Sequence, residues 1–221
     1  MTFPGVKKHT SVASDKQLVE LAREFPREIT VINFGPLTVL AQALDRDAEL
    51  PTMIERIICV GGAWHEPGNA SAVAEFHCAC DPASARQVLR CGLPIVLIPL
   101  DVTRKIVFSP SDLLELPNPD SRTCQFLRQI VPFAIRAMAN RYGVEGFHLK
   151  DVLGVFALTR PSSLTTRHLF VDVETRGELT RGMTVVDVRP DSREKPNVHL
   201  AVGVDANAVR AYIAETLGRA Q

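Results

Sequence analysis

Side chains able to ligate, accept or donate protons gather in three short stretches of this 221-residue sequence. Thr38 follows Gly35-Pro36-Leu37. Asn69, Glu75 and His77 follow a Gly-Gly pair, and His148, Lys150 and Asp151 stand together further on. A carboxylate only accepts hydrogen bonds, an amide both accepts and donates, and an ammonium only donates. Taken one at a time, each residue also has an ordinary use. Thr38 suits a turn that caps the following helix, and Asp151 a helix start, where the helix dipole favours a carboxylate. Asn69 suits a loop beside Gly68, and Glu75 a surface position. Lys150 suits solvent; with an unperturbed pKa of ~10.4 it gives up a proton only if desolvation lowers that value. Cys78-Ala79-Cys80 could hold a soft metal, but no second Cys/His pair stands at a ligand spacing. The five cysteines, an odd number at irregular intervals, read instead as reduced thiols, with Cys78 and Cys80 as small apolar side chains in a buried stretch.

The elements that must position these groups follow from periodicity. Residues 15–24 have helical spacing, with Leu18, Leu21 and Ala22 on one face and Ser14 as N-cap. Pro26 ends that helix. Three nearly continuous apolar runs follow, at 29–34, 57–60 and 94–100, separated by helical segments at 37–44 and 82–90. Runs of that kind are parallel strands buried on both faces and joined by right-handed crossovers. A helical middle comes next: a short piece at 112–116, a longer one at 123–141 and another starting near Asp151. Extended stretches at 168–174, 184–188 and 198–204 precede a final helix over 205–217, with Asp205 as its N-cap. The polar stretch 189–197 reads as an exposed loop.

Composition narrows the partner. Lys plus Arg equals Asp plus Glu at 25 each, so no broad positive field exists for nucleic acid or an anionic membrane. The longest apolar stretch, 92–100, is far short of the ~20 residues of a membrane span, and the opening residues do not read as a secretory signal. The expected setting is the cytoplasm and the expected ligand a small, largely uncharged molecule or another protein.

Six motifs, in register from about residue 14 to 188, resemble the inosine-uridine-preferring nucleoside hydrolase family. They are Gly35-Pro36-Leu37-Thr38; Val60-Gly61-Gly62-Ala63; Gly68-Asn69 with Ala74-Glu75-Phe76 and Asp81-Pro82; Leu100-Asp101-Val102-Thr103; Leu149-Lys150-Asp151; and Val171-Asp172-Val173-Glu174-Thr175 with Gly177-Glu178-Leu179-Thr180-Arg181-Gly182. The third is the most specific. The resemblance implies hydrolysis of the N-glycosidic bond of ribonucleosides to base and ribose, assisted by calcium. By matched position, Thr38 would offer its backbone carbonyl and Asp151 a carboxylate oxygen to the ion. Asn69 and Glu75 would bind ribose hydroxyls, joined by His77 where members carry Asn. Lys150 stands where many members carry the His that helps the base leave. Trp64 and His65 would lie on the crevice side.

Family members open with an acidic D-x-D-x-x-x-D-D motif, and no such string occurs here. The resemblance therefore implies an α/β fold holding only the C-terminal part of the family domain. This would be a truncated, doubly wound, Rossmann-like parallel sheet with strands 4-5-6 of the family order, a helical segment and C-terminal extended strands, in one domain over 1–221 with residues 1–13 poorly ordered. Such a chain keeps one wall of the ligand crevice and an incomplete calcium site. The strand at 29–34 would present an open edge, so a homo-oligomer or pairing with another chain is expected. Impaired hydrolysis is one expectation; the alternative is a non-catalytic nucleoside- or ribose-binding remnant or an assembly partner of a full-length paralogue.

Overall fold

The structure, a computed structural model, describes residues 13–220. All but Ala13 of the segment expected to be poorly ordered lies outside them. Helix α1 (Ser14–Glu24) leads into strand β1 (Ile29–Asn33), α2 (Thr38–Arg46), the single turn α3 (Leu50–Met53) and β2 (Ile54–Val60). After a long loop come α4 (Phe76–Cys80), α5 (Pro82–Leu89), β3 (Ile95–Ile98) and α6 (Leu100–Thr103). A helical insert follows, in which β4 (Val107–Phe108) and β5 (Phe147–His148) bracket α7 (Pro110–Leu114) and α8 (Arg122–Tyr142). The chain then runs through α9 (Val152–Thr159), a 3-10 turn, β6 (Leu164–Val173), β7 (Thr184–Asp187), β8 (Val198–Val204) and α10 (Ala206–Gly218).

The three apolar runs do form parallel strands, paired β1–β2 and β2–β3. Alternation divides their side chains between two cores. Ile57, Cys59, Ile95 and Leu97 pack against α1, α2 and α5 on one face. Ile58, Val60 and Ile98 meet Leu153 and Phe156 of α9 and Val209 of α10 on the other. Burial on both faces is why residues 57–60 and 95–98 are wholly apolar.

The sheet is larger than the sequence reading allowed. Its order is β1-β2-β3-β8-β6-β7, six strands in one mixed sheet. The C-terminal stretches are not an appendage. β8 inserts parallel to β3, and β6 and β7 extend the sheet antiparallel. The physical reason is that β3 has a second edge to satisfy, and β8 fills it with Val198, Leu200 and Ala201 fully buried. β1 lies at the opposite end of the sheet, hydrogen-bonded among the described residues to β2 alone, and its residues are half-buried. That is the edge position expected for it.

Three local expectations need correction. Ser14 does not cap α1; it is the first helical residue, Ala13 occupies the cap, and no side chain bonds there. Cys78 is buried but Cys80 is exposed, because the two occupy α4, where residues two apart point in different directions. The short helix expected at 112–116 begins earlier, at Pro110, because Ser109 and Asp112 form a capping box there.

His168 on β6 and His199 on β8 are cross-strand partners whose rings stack at 4.4 Å. Burial holds the His199 pKa below the ordinary ~6.5, and the neighbouring His168 lowers it further. The unfolded chain therefore takes up this proton more readily than the folded one. Stability from this source is intact above about pH 6.5 and is lost as pH falls from there through the depressed folded value. His199→Gln is expected to flatten the decline in urea midpoint between about pH 7 and pH 5.

Candidate functional site

In an open parallel sheet the ligand crevice lies beyond the carboxyl ends of the strands. Here those ends carry Asn33, Gly61-Gly62 and Pro99-Leu100-Asp101. The loop after β2 is held from below by Asp101, whose carboxylate accepts the backbone N–H groups of Trp64 (2.9 Å), His65 (2.7 Å) and Glu66 (3.3 Å). Further along, the Ala74 carbonyl accepts from Asn69, Ala70 and Ser71, winding residues 68–74 into a tight knot. Gly68 is required at its centre: a Cβ there would sit 2.3 Å from both the Ser71 and Ala74 carbonyl oxygens.

This knot presents Asn69. Its Oδ1 accepts the Phe76 N–H at 2.7 Å, which fixes the amide at the rim of a cleft. Glu75, the N-cap of α4, is buried at 3% exposure. Its Oε2 accepts from His77 N at 2.8 Å and Gly62 N at 3.2 Å. Its Oε1 accepts no hydrogen bond among the described residues; His77 Nδ1 lies 3.8 Å from it. The His77 ring is fixed by a 2.9 Å bond between Nδ1 and the Val60 carbonyl. Gly62, at φ +79°, lets the backbone deliver its N–H to Glu75.

Lys150 faces this group across the crevice. Burial lowers its pKa, partly opposed by the nearby Glu75 carboxylate. Its ammonium makes no ion pair or hydrogen bond among the described residues. Together with Asn69, Arg104, Arg141 and His148 it lines a cleft of about 510 Å³. His148 has a depressed pKa, through burial first and then the Lys150 charge, and its Nδ1 is buried without a hydrogen-bond partner. A separate hollow of about 330 Å³, lined by Phe108, Leu127, Tyr212 and Leu217, is almost wholly apolar.

Four of the sequence-derived residues, Asn69, Glu75, His77 and Lys150, thus converge. Asp151 directly follows Lys150 and its charge acts on that ammonium, and Thr38 stands just past the end of β1. Thr38 opens α2, and its hydroxyl donates to Asp81 at 2.6 Å. Asp151 precedes α9, which packs closely on β1; a Cβ on Gly154 would lie 2.6 Å from the Phe34 ring. Asp151 is exposed and makes no capping bond. The fit to calcium is poor. One carboxylate and one backbone carbonyl fall well short of the 6–8 oxygens the ion takes, and the described residues contain no group of three His, Cys, Asp or Glu side chains placed to hold a metal.

Asp101, Arg104 and Thr184 escaped the sequence reading as site residues. Asp101 stood in a quoted motif, and an acid just past a strand end is a usable sign of a loop anchor. Thr184, which accepts the Ala63 N–H at 3.3 Å from 121 residues away, left no local signal.

Comparison with known proteins gives the family. The model of the inosine-uridine preferring nucleoside hydrolase family matches residues 3–211. This chain belongs to that family. It is 34% identical over 211 residues to a probable uridine nucleosidase 2 of Oryza sativa subsp. japonica, covering 92% of this chain and 62% of the relative. It is also 34% identical over 196 residues to the non-specific ribonucleoside hydrolase RihC of Escherichia coli, covering 88% and 62%. Among solved structures, the plant nucleoside hydrolase PpNRh1 superposes with a TM-score of 0.89 at 28% identity, over 99% of this chain and 71% of that one. The family fold and the mixed sheet are therefore shared, while the chain spans about 62% of the length of the rice and E. coli relatives.

Proposed function

We propose that this chain forms the ribose-holding and leaving-group wall of a nucleoside N-ribohydrolase site, acting on the N-glycosidic bond of ribonucleosides. The observation that carries the reading is the buried Glu75 carboxylate, with one oxygen fixed by two backbone N–H groups and the other uncommitted beside Asn69, His77 and Lys150. An acceptor and a donor at fixed positions suit ribose hydroxyls. Lys150, half-buried and with its pKa lowered, suits protonation of a departing base. Family membership and the named activities of the relatives support the reaction class.

Binding without efficient turnover is the second reading, favoured by the poor calcium donor set. Calorimetry with inosine and uridine, run beside a hydrolysis assay with and without calcium, tests both readings. Saturable binding that chelator leaves unchanged is the expected result, with slow turnover at most. Absence of binding to either nucleoside would overturn the proposal. The open edge of β1 supports a homo-oligomer or pairing with another chain; a sharp, concentration-independent monomeric melt would contradict that.

A further inference from the structure

Residues 147–150 divide two spaces. His148 and Lys150 line the cleft described above, whereas Phe147 and Leu149 line the apolar hollow behind it. Successive side chains of a strand point to opposite sides, and the alternation begun in β5 continues through Lys150. The partition is thin. Two residue pairs with β4 and one bond from the Leu149 N–H to the Ile106 carbonyl (3.1 Å) hold it in place. Helix α8 serves both spaces as well, with Leu127 and Val131 over the hollow and Ala137 and Met138 over the cleft.

The chemistry of the hollow selects its occupant. Its wall carries no charged and no amide side chain. The Thr216 hydroxyl is already spent, donating to the Tyr212 carbonyl at 2.7 Å. A buried water needs about 2–4 polar partners, so water gains little here. The volume of about 330 Å³ is roughly twice the ~150 Å³ of an apolar cavity that stays dry and takes up benzene. Thr216 is exposed, so the hollow is reached from solvent on that side.

We propose that this hollow is a second ligand site, for a small, uncharged, apolar molecule, whose occupation is transmitted to His148 and Lys150 through residues 147–150. The inference stands independently of the ribonucleoside reading. An occupant packs against Phe147 and Leu149, whose neighbours in sequence face the cleft. It also packs against Val152 in the first turn of α9, one residue past Asp151. Close-packed interiors transmit displacement instead of absorbing it. Filling one side of so thin a partition therefore moves the groups on the other.

The test titrates the full chain with indole, and with benzoate as a charged molecule of similar size, following methyl and histidine-ring NMR signals at fixed pH. Indole is expected to bind saturably, one per chain, with a dissociation constant below about 1 mM. Benzoate should bind at least about tenfold more weakly, because the hollow offers its charge no partner. The methyl signals of Leu127, Leu149 and Val155 should move. So should the His148 ring, while the His168 ring on β6 stays still. Thr216→Phe, from the exposed side, and Val155→Phe, from α9, each place a ring where indole would sit. Either should cut indole affinity at least about tenfold, and Thr216→Phe should also raise the melting temperature by filling the space. Equal affinity for benzoate, shifts centred on the Met138 methyl in the cleft, or full indole affinity in both variants would overturn the site. Saturation that leaves the His148 ring unmoved would overturn its transmission to the cleft.

Discussion

Glu75→Ala is expected to abolish ribonucleoside binding and to weaken the fold at the same time. The carboxylate is buried and terminates two backbone N–H groups, those of Gly62 at the end of β2 and His77 in the first turn of α4. Removing it leaves both donors unmatched in an enclosed place, and bonds to a charged group contribute about 1.5–3 kcal/mol. Loss of an N-cap side chain typically costs about 1 kcal/mol, an overlapping term here because the His77 bond is the cap bond. A destabilisation of about 2–3 kcal/mol in urea unfolding follows. Glu75→Gln separates the two roles. Its amide oxygen can still accept from the backbone, so most stability should return. The charge that draws the hydroxyl protons is gone, so affinity for uridine should stay down by about tenfold or more. Full affinity in the Gln variant would show that the charge does not hold the sugar.

The second large effect is expected from Gly68→Ala, a single added methyl group. The new carbon would meet two carbonyl oxygens at 2.3 Å and the Ala74 nitrogen at 2.5 Å, all backbone atoms of the same knot. No side chain can turn aside to relieve it, so the loop must open. Overpacking of this kind costs about 1–3 kcal/mol, and here the cost falls on the segment that aims Asn69. The variant should therefore lose uridine affinity as severely as Asn69→Ala does. The double variant should lose little more than either alone, since both remove the same contact. Additive losses would mean that Gly68 acts through something other than Asn69.

How far the fold could be read in the sequence depended on the range of the forces involved. β2 and β3 were legible because burial on both faces writes itself as apolar runs at 57–60 and 95–98, and β1 because its β-branched residues Ile29, Thr30, Val31 and Ile32 mark a strand. The Asp205 cap of α10 and the proline at the first turn of α5 were legible because capping is local. The joining of β8 to β3 was not: nothing in residues 198–204 says which edge they will meet, and their partners on β3 lie about a hundred residues away. Helix α4 and the β4–β5 pair are too short to show a period. The stretch expected to be a loop at 189–197 is mostly exposed, but its last residue, Asn197, bridges Val171 and Leu89 with three hydrogen bonds. In the site, ordered motifs brought Asn69, Glu75, His77 and Lys150 to one place. They carried no sign that Arg104, half of an ion pair with Glu66, would line the same cleft.

The claim on which the account turns is that these four residues form one sugar-binding wall. An amide-resolved NMR titration of the full chain with uridine tests it most directly. Saturable shifts at the Gly61, Gly62 and His77 amides and at the Asn69 side-chain NH₂ are predicted, absent from the same titration of Glu75→Gln. Shifts confined to the apolar hollow around Tyr212 and Leu217, or none at any uridine concentration, would contradict it.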